Sequence, residues 1–200
     1  GQSDSWVDDV LKQATNKDMV VVNLFDVLGE NVKTEEYVEG MEHDHDHEHE
    51  EEHEEEHEHE KDEHVWLSIS NAKIICSYLA DKLIQIDSEN KNIYSTNVDS
   101  YLTKLDELNA QYEDAVNKAE NKTLLFADRF PFRYLVDDYG LDYYAAFSGC
   151  SAESEASFET VIFLANKIDE LGLNSVLTID GSTNEIAKTT LFKIIVGELE

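Results

Sequence analysis

All eight histidines of this 200-residue chain lie in one 22-residue window: His43, His45, His47, His49, His53, His57, His59 and His64. The rest of the window is thirteen Asp or Glu residues and one Lys, with no apolar side chain. Such a segment cannot contribute to a core, so any fold must carry it as a solvated loop. What it can do is hold metal. Neutral imidazole is a good ligand for zinc, copper and nickel, and carboxylates add charge and oxygen ligands. His43, His45, His47 and His49 would share one side of an extended chain, and His49, His53 and His57 one side of a helix. Neither geometry is stable alone. The expected role is low-affinity metal collection, because a floppy ligand set must be ordered as it binds.

Blander readings fit less well. A purification tag would be contiguous histidine, whereas this tract is internal and interleaved with acid. A plain acidic linker has no reason to hold every histidine of a chain. The strings from His49 to His53 and from His53 to His57 formally read H-E-E-E-H, the kind of pattern that suggests a zinc hydrolase. In a tract dominated by two residue types such matches arise by chance. A solvated loop also lacks the dry, shaped cavity that metal-assisted hydrolysis needs. The expectation is therefore a metal-handling protein that is not an enzyme.

The formal net charge is −30, of which the window carries −12, so acidity is general. That argues against nucleic acid and anionic membrane surfaces as partners and suits the attraction of cations. Hydrophobic residues make up 41 %, enough for a core in one or two small domains. Two cysteines, Cys76 and Cys150, exclude a disulfide framework and read as buried thiols. No apolar run is long enough to cross a membrane. The chain opens on Gly1 rather than Met and is expected to be a piece of a longer protein.

Local patterning predicts an amphipathic helix over 4–14, opened by Ser3 or Asp4, and a buried strand over Met19–Phe25. Residues 29–63 read as loop. Ser70 opens a helix over 71–86 with an apolar stripe of Ile74, Ile75, Tyr78, Leu79 and Leu83. A second helix over 88–119 contains neither Gly nor Pro, and 32 residues would span roughly 48 Å. That length suits either a bridge between two lobes or a bundle helix. Strands then alternate with helices: strand 123–126, helix 130–139 opened by Pro131 and ended by Gly140, strand 143–147, helix 154–171 ended by Gly172, strand 175–179, and a helix starting at Thr183. The pattern predicts an α/β fold with a parallel sheet and flanking helices.

Four stretches together resemble the zinc- and manganese-specific solute-binding proteins of ABC importers. They are the His/acid loop running into His64-Val65-Trp66-Leu67-Ser68, the long helix entered through Asp87-Ser88-Glu89-Asn90, Phe126-Ala127-Asp128-Arg129-Phe130-Pro131-Phe132-Arg133-Tyr134-Leu135 with Tyr139-Gly140-Leu141, and Ser151-Ala152-Glu153-Ser154-Glu155-Ala156-Ser157. The resemblance implies two α/β lobes joined by one rigid helix, with the metal between them. The expected division is an N-terminal lobe over 1–87 carrying the loop 41–63, a linking helix over 88–119, and a C-terminal lobe over 120–200. The resemblance makes His64 a metal ligand, and its place where loop meets apolar core agrees. The next family ligand should follow the strand 123–126, where Arg129 stands instead; Arg cannot bind a cation, and Asp128 is the substitute. Asp180 is a candidate by position at a strand end, and Glu155 a candidate for the cleft rim. Ile69 stands where the family often has Pro. The family's first His and last acidic ligand are expected beyond the two ends of the chain. The implied function is an extracytoplasmic, lipid-anchored receptor that captures zinc and passes it to a membrane permease. Imidazole richness favours zinc over manganese, the alternative cargo. An intracellular metal buffer or metallochaperone is the alternative function.

Overall fold

Contacts gather the chain into two compact units, one formed by Gly1–Thr34 with Lys61–Gln111 and the other by Glu35–Glu60 with Tyr112–Glu200. The computed structural model describes residues 4–42, 61–149, 156–180 and 184–190. The tract residues 43–60, and with them His43, His45, His47, His49, His53, His57 and His59, lie outside the described residues, as do Cys150 and Glu155.

In the first unit the described elements are helical, apart from one antiparallel bridge between Thr34 and Lys61. Helix α1 (Trp6–Gln13) follows the predicted pattern but buries no side chain, and its N-cap Ser5 makes no side-chain cap bond. The strand expected over Met19–Phe25 does not form. Asn23 instead accepts a hydrogen bond from the Phe25 amide at 2.9 Å and starts helix α2 (Leu24–Leu28). A strand needs a neighbour for its ladder bonds, and none is present among the described residues of this unit. Val20 and Val21 accordingly stay half exposed.

Helix α3 (Ile69–Ile86) is capped by Ser68 rather than opened by Ser70: the Asn71 amide donates to Ser68 Oγ at 3.0 Å. Of its predicted stripe only Ile75 is buried, while Ile74, Tyr78, Leu79 and Leu83 remain 37–45 % exposed. A 3-10 turn over Ser88–Asn90 leads into helix α4 (Lys91–Lys118), whose 28 residues span about 42 Å. Its residues through Gln111 belong to the first unit and Tyr112–Lys118 to the second.

The second unit is an α/β layer. Strand β1 (Thr123–Phe130) pairs in parallel with β2 (Asp142–Ser148), with helix α5 (Arg133–Tyr139) between them in sequence. The predicted helix over 130–139 starts later, because Phe130 still belongs to β1 and pairs with Ser148. Helix α6 (Phe158–Leu171) likewise starts later than predicted, at the N-cap Ser157, and both α5 and α6 end on a left-handed glycine, Gly140 and Gly172. The strand expected over 175–179 is reduced to one parallel bridge, Leu177 to Phe126, with the Leu177 amide donating to Leu125 O at 2.8 Å and the Ala127 amide to Leu177 O at 3.0 Å. Residues 185–190 are helical.

Alternation sends Leu125 and Phe126 of β1, and Ala145 and Ala146 of β2, to opposite faces. Phe126, Phe130, Tyr143 and Ala145 form one core with Val136 of α5, and Leu125, Ala146 and Phe147 form another with Leu164 and Ile168 of α6. The first core is completed by residues 35–42, read from sequence as free loop. Met41 is buried in it, Val38 packs beside it, and the Glu42 amide donates to Ala146 O at 2.9 Å. The packing places this segment with the second unit, whereas the expected lobe boundaries put it in the first. At Gly40 φ is +85°, and an added Cβ would lie 2.0 Å from the Phe163 ring, so only glycine fits.

Candidate metal site

The chain returns from the His/acid tract at Lys61, which bridges Thr34, and the Asp62 amide donates to Lys33 O at 2.9 Å. This pairing sets Asp62 in place, 2 % exposed. Its Oδ1 accepts from the His64 amide at 2.8 Å and lies 3.1 Å from His64 Nδ1. The first contact is a turn in which an Asp side chain binds the backbone two residues on. The second holds the imidazole by one nitrogen. Downstream, the Leu67 amide donates to His64 O at 3.0 Å and opens a 3-10 turn over Val65–Leu67. Asn71 Nδ2 donates to Val65 O at 3.2 Å, tying that turn to α3. The Trp66 ring stands 5.8 Å from the His64 ring, tilted by 57°. His64 is thus a partly exposed histidine on a backbone fixed from both sides, the setting a fixed ligand requires.

Sequence alone does not distinguish Asp62. Its signal, an Asp two residues before His, is hidden among thirteen acids.

Asp128 lies in the second unit, where the register of β1 and β2 shifts between Phe126 and Arg129. Such an irregularity re-aims side chains. Asp128 is buried; its Oδ1 accepts from the Arg129 amide at 2.8 Å and its Oδ2 from the Ile179 amide at 3.1 Å. Each carboxylate oxygen keeps a second lone pair for a cation. The bond to Ile179 brings Asp128 next to the turn that carries Asp180, which is exposed. Both residues lie toward the carboxyl end of the parallel strands, where open α/β sheets bind ligands. Arg129 is exposed. Among the described residues no three His, Cys, Asp or Glu side chains form a metal-holding group. Cys76 is free and half-buried rather than buried, with its thiol pKa pushed up by desolvation.

A family model described as zinc-uptake complex component A, periplasmic, matches residues 1–197. The chain belongs to this family. It is 28 % identical over 190 residues to the zinc-binding protein AdcA of Streptococcus pyogenes serotype M1, covering 93 % of this chain and 36 % of AdcA. Among solved structures it resembles the metal-dependent lipoprotein YcdH of Bacillus subtilis, at a TM-score of 0.68 and 23 % identity over 95 % of this chain and 61 % of that one. It also resembles AdcAII of Streptococcus pneumoniae, at a TM-score of 0.58 and 26 % identity over 66 % of this chain and 50 % of that one. The chain therefore spans about a third of AdcA. The α/β fold with a parallel sheet and a long helix is that of the family. No helix among the described residues is long and apolar enough to cross a membrane.

Proposed function

We propose that this chain is part of an extracytoplasmic, lipid-anchored solute-binding receptor that captures zinc and delivers it to the permease of an ABC importer. The observation that carries this reading is His64, a partly exposed imidazole held by a buried carboxylate at the exit of a histidine- and acid-rich tract. Binding and release of an ion make and break only metal–ligand bonds and leave the cargo chemically unchanged, so the protein acts as a receptor and not as an enzyme. His64 supplies a fixed nitrogen ligand. Asp128 supplies an oxygen ligand at the carboxyl end of β1, and Asp180 a further carboxylate. The tract histidines His43, His45, His47, His49, His53, His57 and His59 gather ions at low affinity. The general acidity of the chain, −30 overall, raises the local cation concentration.

The donor chemistry favours zinc. Imidazole with carboxylate suits zinc, whereas manganese prefers more oxygen ligands and stands lower in the general affinity order. Equilibrium dialysis against equimolar zinc and manganese tests this. Zinc should be retained and manganese excluded, and His64→Ala should lower zinc retention at less than one equivalent. Equal retention of both metals, or retention indifferent to His64→Ala, would overturn the reading.

A further inference from the structure

We infer that Asp62 is the positioning residue of this site: it fixes His64 in the tautomer that carries its proton on Nδ1, leaving Nε2 as the ring atom available to zinc. The inference rests on the reading of His64 as a ligand and deepens it.

A carboxylate offers only acceptors, so a ring nitrogen within hydrogen-bond distance of it must donate. Asp62 Oδ1 lies 3.1 Å from His64 Nδ1. In a neutral imidazole one nitrogen donates and the other accepts, so a donating Nδ1 forces the lone pair onto Nε2. The same Oδ1 accepts from the His64 amide at 2.8 Å, so one atom sets both the backbone and the ring of His64. Burial adds a reason for the contact to persist. The Asp62 side chain is 3 % exposed, and a buried carboxylate is costly without donors. Its position comes from outside the motif, through the Asp62 amide bond to Lys33 O and the neighbouring Thr34–Lys61 bridge. The pairing of residues 33–34 with 61–62 thereby fixes which nitrogen of His64 meets the metal. A carboxylate behind an imidazole also raises its basicity as a ligand.

The test reads the tautomer directly in the metal-free full chain. Nitrogen-15 labelling of histidine and two-dimensional NMR of the ring nitrogens report which nitrogen is protonated, and His64 is identified as the ring lost in His64→Ala. The expected result is an Nδ1-protonated ring. Asp62→Ser keeps a short acceptor for the His64 amide but removes the ring's partner. It should shift the ring away from the Nδ1-protonated form and weaken zinc binding about 10- to 100-fold, read by chelator competition below one equivalent of zinc. Asp62→Asn retains an acceptor oxygen and should recover part of both. An Nε2-protonated ring in the unsubstituted chain would overturn the inference without any variant. So would a tautomer unchanged by Asp62→Ser. An Nδ1-protonated ring combined with zinc affinity indifferent to His64→Ala would instead leave the positioning intact and remove the receptor reading.

Discussion

Single atoms decide much of this molecule. Asp128 Oδ1 and Oδ2 each accept one backbone N–H, from Arg129 and Ile179. Asp128→Ala should therefore destabilise the second unit by about 1–3 kcal/mol, since it strands backbone donors at a buried position. Chemical denaturation checks the stability, and the zinc affinity of the same variant checks its role as a ligand. Gly40→Ala should cost about 1–3 kcal/mol, because it combines a positive φ with a clash against the Phe163 ring. Its melting temperature should fall, while a neutral glycine substitution would leave it unchanged. These residues differ in how far sequence reveals them. His64 is legible because it stands at the border of a charged tract and an apolar motif. Asp62 is not, because it is one of thirteen acids in the same window. Gly40 is not, because its constraint comes from a ring 123 positions away.

At the scale of elements, periodic and punctuated segments read well and short apolar runs do not. Helices α5 and α6 end at Gly140 and Gly172 as the sequence predicts, each glycine in the left-handed region. The run Met19–Phe25 carries a strand's composition, yet composition cannot supply a pairing partner, and the capping side chain of Asn23 starts α2 instead. The segment 35–42 has no period, so its docking through Val38 and Met41 is invisible until the sheet is present. Ser68 both follows the His64 turn and caps α3. Ser68→Ala should cost about 1 kcal/mol, measurable by thermal melting, and should loosen His64 enough to weaken zinc binding. Where α4 meets α5, Tyr112 and Tyr139 stack at 5.2 Å. Burial, followed by the charges of Asp138 and neighbouring groups, pushes the Tyr139 phenol up to about 12. A raised pKa means the folded state holds the proton longer than the unfolded one. The stability from this group is thus complete below pH 10 and is lost between pH 10 and about 12. Spectrophotometric titration should show a tyrosine ionising at about pH 12, and Tyr139→Phe should abolish that late step.

For the whole molecule, the proposed function rests on two sources of metal affinity that can be separated: a tract proposed to gather ions and a fixed ligand proposed to hold one. The tract was the most legible part of the sequence, but it lies outside the described residues. His64 belongs to the first unit, and Asp128 and Asp180 to the second. The most direct test is a calorimetric zinc titration of three proteins: the full chain, a variant lacking residues 43–60, and His64→Ala in that deleted background. The account predicts that the deletion removes the weak sites, leaves one tighter site, and that His64→Ala then abolishes it. Loss of all zinc binding on deletion of the tract alone would contradict it.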